Sequence, residues 1–528
     1  MMNIFHQKGL VGFICLGLMI FISTLIFSNN ITKSVSEFQF RSYRDGSEAL
    51  VLGKIFADLE NIPTNQANLG FIEKDKITKN ANVLANYMRI DYPNILIPVD
   101  INDLNWSHGF GISAPVFLLA RAETAKLGYA ENELKNGQKI HFSNGETRTI
   151  TKIEVKNAFI QVYYSGTKID FARLTYPSKI KILDASNYVF DEYKSQYGFQ
   201  GIFFSWLHKH FYFFSTVYSL QFLCAALTAI VLVLLCREYG FVFGRAFGVI
   251  FLISVLESPW IVSIARNLYW VPFLWFFPSL ITMWIYRNST NSKTGIFLYI
   301  LFFLAIFLKS LAGYEYLSSI VLFSLVIFFV DPFCPMPKYD VKSSIKIIAV
   351  LFALSVLGFG FALLFHGSIR GDSIVNGVKN IFQSEAIKYT QLGKVVGNIA
   401  LGMDVALWDV LEKYIVHWEN PVILRLNNPF VFVTLIIFTC ISISVQYLIS
   451  DRLRRRDLAL VVFMALPPLS WLILMKGHSV IHTHLNYVLW SFGFLPAIIF
   501  VIWRSLFLLT TRYQKIFSCN MLLKEKQY

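Results

Sequence analysis

Residues 211–235 read FYFFSTVYSLQFLCAALTAIVLVLL and hold no charged side chain; charges resume only at Arg237 and Glu238. A bilayer core needs about 20 apolar residues of α-helix, so this run is long enough to cross one. Its apolar residues are continuous rather than gathered on one helical face, which sets it apart from an amphipathic helix of a soluble core. Similar runs cover about residues 9–27, 245–256, 268–286, 295–308, 314–330, 345–365, 429–449, 458–475 and 485–509, with 245–256 and 295–308 short for a span. About ten transmembrane helices are therefore expected. The first run is too long for a signal-peptide core, and Ser28-Asn29-Asn30 is a poor cleavage site, so residues 1–28 read as a retained anchor.

Composition agrees. Of 528 residues, 55% are hydrophobic and 15% charged, against about 25% charged in ordinary soluble chains, and the mean hydropathy is +0.53. A soluble multidomain enzyme is excluded. The net charge of +14 implies no nucleic acid partner, because Lys and Arg cluster in short loops between the apolar runs, as the positive-inside rule requires.

Those loops orient the chain. Arg237 and Arg245, Arg287 and Lys293, Lys338 to Lys346, Arg452 to Arg456, and Arg512 to Lys526 fall on one side if ten helices alternate. That side is the cytoplasm and holds both termini, with residues 510–528 as a cytoplasmic tail. Two long insertions, about 29–210 and 367–428, then face outward, leaving helices two to seven in 211–366 and eight to ten in 429–509. Neither insertion contains a cysteine, so the outer face is built without disulfides.

The first insertion is long enough for a small core of its own. Its early part, about 40–130, reads as helical, including 46–56 and 77–88 near the membrane surface. Over about 138–183 the period turns toward two. Runs at 139–142, 147–155, 158–164 and 168–174, parted by Ser143-Asn144-Gly145-Glu146 and Ser165-Gly166, predict a small antiparallel β-sheet or barrel.

Five polar groups sit at the outer helix ends. Arg44, Asp45 and Glu48 lie just beyond the anchor. A carboxylate at a lipid–water boundary can be pushed into the range of a general base, although Asp45 before Gly-Ser-Glu also suits a helix start. Gln196 and Gln200, between Tyr193 and Gly201, offer amides to a sugar or phosphate, while a turn into a helix explains the glycines equally well. Arg266 offers a planar fork for phosphate, with a structural pair to Glu257 as the alternative. Lys309, Tyr314 and Glu315 follow; Glu315 opens an apolar run, where an acid faces a partner or a wet cavity, or else pairs with Lys309. Lys476, His478 and His482 form the last group, in a short outer loop that includes His484. They suit a phosphate better than zinc, since no H-E-x-x-H pattern or carboxylate accompanies them, so no metal ligand is assigned.

Asp45 just after the first helix, the large first outer loop, Gln196 to Gly201 before the second helix, and the Glu315 and Lys476 to His484 loops together resemble the GT-C superfamily of polytopic glycosyltransferases. The resemblance implies a GT-C-like α-helical fold and transfer of a sugar from a polyprenyl-phosphate donor to an acceptor hydroxyl, with inversion. It carries Asp45 over as catalytic base, with Glu48 and Glu315 as the other acids. Arg44, Arg266, Lys309, Lys476 and His478 would then hold the phosphate, and Trp260, Tyr269, Trp270 and Tyr314 would stack on sugar or prenyl groups. The second insertion, with Trp408, Asp409, Glu412, His417 and Trp418, could close over the acceptor. The sequence departs from the pattern in that Asp45 is followed by Gly46-Ser47-Glu48 rather than a second acid.

The implied partners are a polyprenyl-phosphate-linked sugar, a lipid or glycan acceptor and membrane lipids. No nucleotide cofactor is demanded, and room is left for a divalent cation. The implied location is a bacterial inner membrane with the active site facing the periplasm. Two other readings stand beside this one: an O-antigen polymerase or ligase, and a lipid-linked glycan transporter or flippase, which would place charges nearer mid-membrane.

Overall fold

The computed structural model describes residues 10–36, 40, 45–74, 116–120, 136–137, 139–141, 147–155, 159–166, 188–288, 292–383, 406–416, 430–449, 451–481 and 483–525. The expected helix at 77–88, the expected strand at 168–174, and Arg44, His417, Trp418 and His482 lie outside them.

The described chain is mainly helical. In order it runs α1 (Leu10–Asn29), α2 (Asp45–Leu59), β1 (Gly70–Lys74), β2 (Val116–Ala120), β3 (Lys139–His141), β4 (Thr147–Val155), β5 (Phe159–Tyr164) and β6 (Tyr188–Glu192). There follow α3 (Phe199–His210), α4 (Val217–Phe243), α5 (Arg245–Leu256), α6 (Pro259–Ile264), α7 (Phe273–Asn288), α8 (Ser292–Ala312), α9 (Leu317–Val330), α10 (Val341–Arg370) and α11 (Ile374–Ile381). The chain continues with α12 (Leu407–Ile415), α13 (Phe430–Ile449), α14 (Asp451–Leu474), α15 (Lys476–Ile481), α16 (Thr483–Asn486) and α17 (Phe494–Glu525).

Among the described residues, seven helices are long and apolar enough to cross a membrane: Gly12–Asn29, Val217–Phe243, Thr294–Ala312, Val341–Arg370, Phe430–Ile449, Arg454–Leu474 and Phe494–Thr511. Ten were expected. Helices α5, α7 and α9 occupy the other three expected places and fall short of that length. Large apolar side chains stay exposed on the long helices, among them Phe13 and Leu18 of α1, Phe352 and Phe361 of α10, and Phe438 of α13. An apolar surface of this kind is stable only where lipid is the solvent. The chain is a multi-pass membrane protein.

Several boundaries differ from the sequence reading, among them α4, which covers Val217–Phe243 rather than 211–235. The run at 268–286 becomes helical only at Phe273, after α6 and an irregular turn. The last run becomes a span only at Phe494, because Tyr487–Ser491 is a 3-10 helix and Gly493 turns with φ 94°. A Cβ at Gly493 would meet Phe323 at 2.9 Å, so close packing and backbone both demand glycine there. The segment read as a loop at 476–486 is itself helical, as α15 and α16.

The helices pack as a bundle around α4, α7 and α9, with α4 against α1, α5 and α7, and α9 against α7 and α14. Aromatic rings fill the centre, including Phe276 on Phe492 at 4.9 Å and Phe247 on Phe500 at 5.2 Å. Pro467 and Pro468 interrupt the α14 hydrogen-bond ladder, and the Ser319 hydroxyl of α9 donates to the Pro467 carbonyl at 2.6 Å. One end of the bundle is basic. There Arg287 pairs with Glu238 at 2.6 Å, Tyr286 donates to Asp331 at 2.7 Å, and buried Asp457 meets Arg456 and Arg504 at 2.8 and 3.1 Å.

The opposite end carries α2, α3 and the strands. Three of the expected strands are present as β3, β4 and β5, and β2 joins them in an antiparallel sheet of order β2-β5-β4-β3, open at both edges among the described residues rather than closed into a barrel. Gly137 and Gly166 take φ 88° as turn glycines, the second in the expected Ser165-Gly166 turn, while the expected Ser143 to Glu146 turn lies outside the described residues. Two strands fall where helix was expected: β2, which pairs with β5, and β1, which pairs with β6. Short apolar runs such as 116–120 suit either state, and pairing with a distant strand decides them.

Candidate functional site

The non-basic end is organised by the link between α6 and α7. Ser258 caps α6, accepting from the Ile261 N–H, with Pro259 at the first helical position. Past α6 the Asn267 side-chain oxygen accepts from the N–H groups of Tyr269 and Trp270 at 2.9 and 3.0 Å, folding residues 267–270 into a tight Asx turn. Val271 then takes φ 40°, a left-handed conformation that a β-branched residue adopts only when its surroundings impose it. Helix α4 supplies part of that constraint, since Thr228 donates to the Ala265 carbonyl at 3.0 Å and the Cys224 thiol to the Asn267 carbonyl at 3.4 Å.

Distant segments converge on this turn. Glu48 of α2 is 2% exposed and accepts from the Leu268 N–H at 3.0 Å and from Gln221 Nε2 at 3.0 and 3.2 Å. Gln200 of α3 donates to the Tyr269 carbonyl at 3.1 Å. The Tyr269 hydroxyl reaches Glu315 Oε1 at 3.5 Å, and the Trp270 ring stacks on Tyr316 with centroids 6.0 Å apart. Tyr316 donates to Asn486 Oδ1 at 2.8 Å and meets His478 edge-on, and the same imidazole meets Trp471 edge-on. One continuous polar and aromatic cluster thus joins the segments around Glu48, Gln200, Tyr269, Glu315 and His478.

Each expected residue has a definite place or lies outside the description. Asp45 is the first residue of α2. Arg266 makes the contacts of a clamp rather than those of the expected pair with Glu257. Its guanidinium donates to the carbonyls of Ser28 and Phe40 at 3.4 and 3.1 Å and lies 3.9 Å over the Phe40 ring. Glu257 instead accepts from Ser34. Glu315 lies in the turn before α9 and does not begin the helix; Tyr316, at φ 62°, is the N-cap. Lys309, 2% exposed, donates to the Gly313 carbonyl at 2.6 Å. It senses the Glu315 charge without an ion-pair contact to it. His478 is buried and Lys476 half-buried. Trp260 and Trp270, expected to stack on ligand, are buried, with Trp260 stacked on Tyr487 at 5.1 Å.

Burial pushes the half-buried Glu315 carboxyl above the usual carboxylate range, with Lys309 and the Tyr269 hydroxyl opposing the shift. The Tyr314 hydroxyl is raised by burial and by the neighbouring Glu315 charge. Tyr314 is hydrogen-bonded to His366 Nδ1 at 2.9 Å, and His366 Nε2 to the Lys194 carbonyl at 3.0 Å. A carbonyl only accepts, so Nε2 carries the proton. Arg370 donates to the same carbonyl at 2.6 Å. His366 and Arg370 escaped the sequence reading because they sit in the last turns of a 30-residue apolar helix, α10. A histidine inside such a run was the available signal.

The expected lid is represented by α12. It buries Val410 and Tyr414 and exposes Trp408. Tyr414 donates to the Ser479 carbonyl at 2.5 Å, while Tyr487 and Trp490 donate to the carbonyls of Lys413 and Tyr414. Among the described residues no three His, Cys, Asp or Glu side chains gather to hold a metal ion. Compared with known proteins, the chain matches no family model, no curated protein and no solved structure.

Proposed function

We propose that the chain is an integral-membrane glycosyltransferase of GT-C type, moving a sugar from a polyprenyl-phosphate donor to an acceptor hydroxyl. The observation that carries this reading is the convergence of Glu48, Gln200, Tyr269, Glu315 and His478 at the non-basic end of the bundle. A lipid-phosphate sugar presents its reacting bond at that depth, where carboxylates, amides and aromatic rings can reach both sugar and phosphate. By the positive-inside rule the basic end is cytoplasmic and this end extracytoplasmic, the periplasmic side of a bacterial inner membrane.

In the proposed reaction the acceptor oxygen forms a bond to the anomeric carbon while the bond from that carbon to the phosphate oxygen breaks. The hydroxyl proton passes to Asp45, and the electron pair leaves with the prenyl phosphate, whose charge the cations of this end, Lys476 among them, neutralise. Single displacement inverts the anomeric centre. Glu48 is not assigned as the base, because its carboxylate is already engaged by Gln221 and Leu268. Arg266 contributes by fixing the exit of α1 rather than as a free phosphate ligand.

The test is transfer of labelled sugar from a panel of polyprenyl-phosphate sugars by the purified protein in lipid, with wild type and Asp45→Asn matched for folding. Transfer by wild type that falls at least a hundredfold in the variant supports the reading. Transfer from no donor moves the chain to transport or polymerisation, and undiminished transfer by Asp45→Asn removes that residue as base.

A further inference from the structure

Helix α3 divides its residues between two faces. Gln200, Phe204, Ser205 and Leu207 are buried, whereas Ile202, Trp206 and His210, at successive i, i+4 positions, are exposed among the described residues. The buried face is tied to the non-basic end of the bundle. Ser205 donates to Asp58 of α2 at 2.5 Å and Gln200 to the Tyr269 carbonyl at 3.1 Å, and a Cβ on Gly201 would overlap the Asn68 carbonyl. Ahead of the helix, buried Gln196 precedes Gly198, whose N–H donates to the Leu311 carbonyl at 3.0 Å.

The exposed face continues into the turn before α4. There Phe211, Tyr212 and Phe213 follow one another, with Tyr212 87% and Phe213 72% exposed. His208 Nδ1 donates to the Phe214 carbonyl at 2.9 Å, which folds this turn back on the helix. Trp206 meets Phe211 edge-on at 5.3 Å, so helix and turn share one aromatic patch. The patch is continuous with a membrane-spanning surface, since the span of α4 begins at Val217 and Tyr218 in its first turn is itself exposed. Its level is that of the end of another span, because the Tyr218 hydroxyl donates at 3.3 Å to Asn29, the last residue of α1. Charge agrees: residues 199–218 hold no acidic side chain, and α3 ends in His208, Lys209 and His210, a complement to phosphate. Aromatic rings with polar tips beside a cation suit the boundary between acyl chains and water, where an unpartnered patch in water alone would be costly.

We infer that α3 and the turn at 211–214 form a foot lying along the bilayer, with Trp206, Phe211, Tyr212 and Phe213 seated in the headgroup layer of the leaflet at the non-basic end and Lys209 at its phosphates. The partner is the phospholipid surface, and the inference does not rest on sugar transfer. A helix that turns residues 202, 206 and 210 to one surface lies along it. Because Gln200 on the opposite face holds the Tyr269 carbonyl, the foot also sets the height of the Glu48, Tyr269 and Glu315 cluster relative to the lipid.

The test uses the full chain in phospholipid nanodiscs and reads Trp206 as the fluorescence of wild type minus that of Trp206→Phe. Three quenchers are compared: a phospholipid with a nitroxide on its headgroup, one with a nitroxide deep on an acyl chain, and acrylamide in the water. Phe213→Trp minus wild type gives a second reading from an exposed position should Trp206→Phe misfold, with melting temperatures as the folding check. An interfacial helix buries its apolar face only about 5–10 Å deep, so the headgroup nitroxide should quench about twofold or more over the deep one, with acrylamide weakly effective. Quenching by acrylamide alone overturns the foot, because the patch then faces water. Stronger quenching by the deep nitroxide overturns it as well, placing the patch among acyl chains. Shielding from all three quenchers shows protein over the patch, from this chain or a second copy, and likewise removes the foot.

Discussion

Replacing Glu48 by alanine distinguishes a structural carboxylate from a catalytic one. In the structure the side chain is 2% exposed and satisfies two buried donors, Leu268 N–H at 3.0 Å and Gln221 Nε2 at 3.0 and 3.2 Å. Each donor left without an acceptor costs about 1–3 kcal/mol, and the lost methylene adds about 0.8 kcal/mol. Removing a buried carboxylate returns part of this, so the expected net loss is about 3 kcal/mol. Glu48→Gln, which keeps the shape and one acceptor oxygen, should lose about 1–2 kcal/mol. The assay is unfolding in mixed micelles by added denaturing detergent, followed by tryptophan fluorescence. Gln221→Leu completes a double-mutant cycle with an expected coupling of about 1–2 kcal/mol. A Glu48→Ala protein that unfolds within about 0.5 kcal/mol of wild type, yet has lost sugar transfer, would refute the structural assignment and return Glu48 to the reacting centre.

Glu315 should leave a pH signature. Its folded pKa is raised above the unfolded value by burial, so its contribution to stability is complete below the unfolded value and is lost as pH rises through the folded one. Wild type should therefore lose melting temperature relative to Glu315→Gln as pH rises from about 4.5. Gly248→Ala places a Cβ 2.7 Å from the Cys236 carbonyl and 2.8 Å from Gly240 Cα, where α4 and α5 touch backbone to backbone. A loss of about 1–3 kcal/mol is expected in the same unfolding assay, and a neutral result would show that the two helices separate freely. Asp457→Ala leaves the Arg456 and Arg504 guanidinium groups facing each other without their shared carboxylate. It should cost about 3–5 kcal/mol, whereas removing the exposed partner of a surface pair would cost under about 1 kcal/mol.

The sequence by itself determined that the chain crosses a membrane many times. Runs such as 211–235 cannot be accommodated otherwise, because in lipid a backbone must satisfy its own hydrogen bonds and a long apolar helix does so. It also announced the hairpin region, through Ser165-Gly166 and alternating side chains, since turn glycine and pleat act over a few residues. What local pattern could not reveal is where packing over long separations decides. Residues 116–120 became a strand only through β5, and the last span begins only at Phe494, after the 3-10 helix Tyr487–Ser491 and Gly493 at φ 94°. The site follows the same division. Polar residues at helix ends stood out as departures from apolar runs, which is how Glu48, Gln196, Arg266, Lys309 and Glu315 were found. Their partners belong to distant segments of the chain: Gln221 and Leu268 for Glu48, and Ser28 and Phe40 for Arg266. Charge and hydropathy select the residues for the membrane boundary, but only the folded bundle sets which carboxylate is taken up by a backbone N–H and a side-chain amide and which lies near a buried ammonium group.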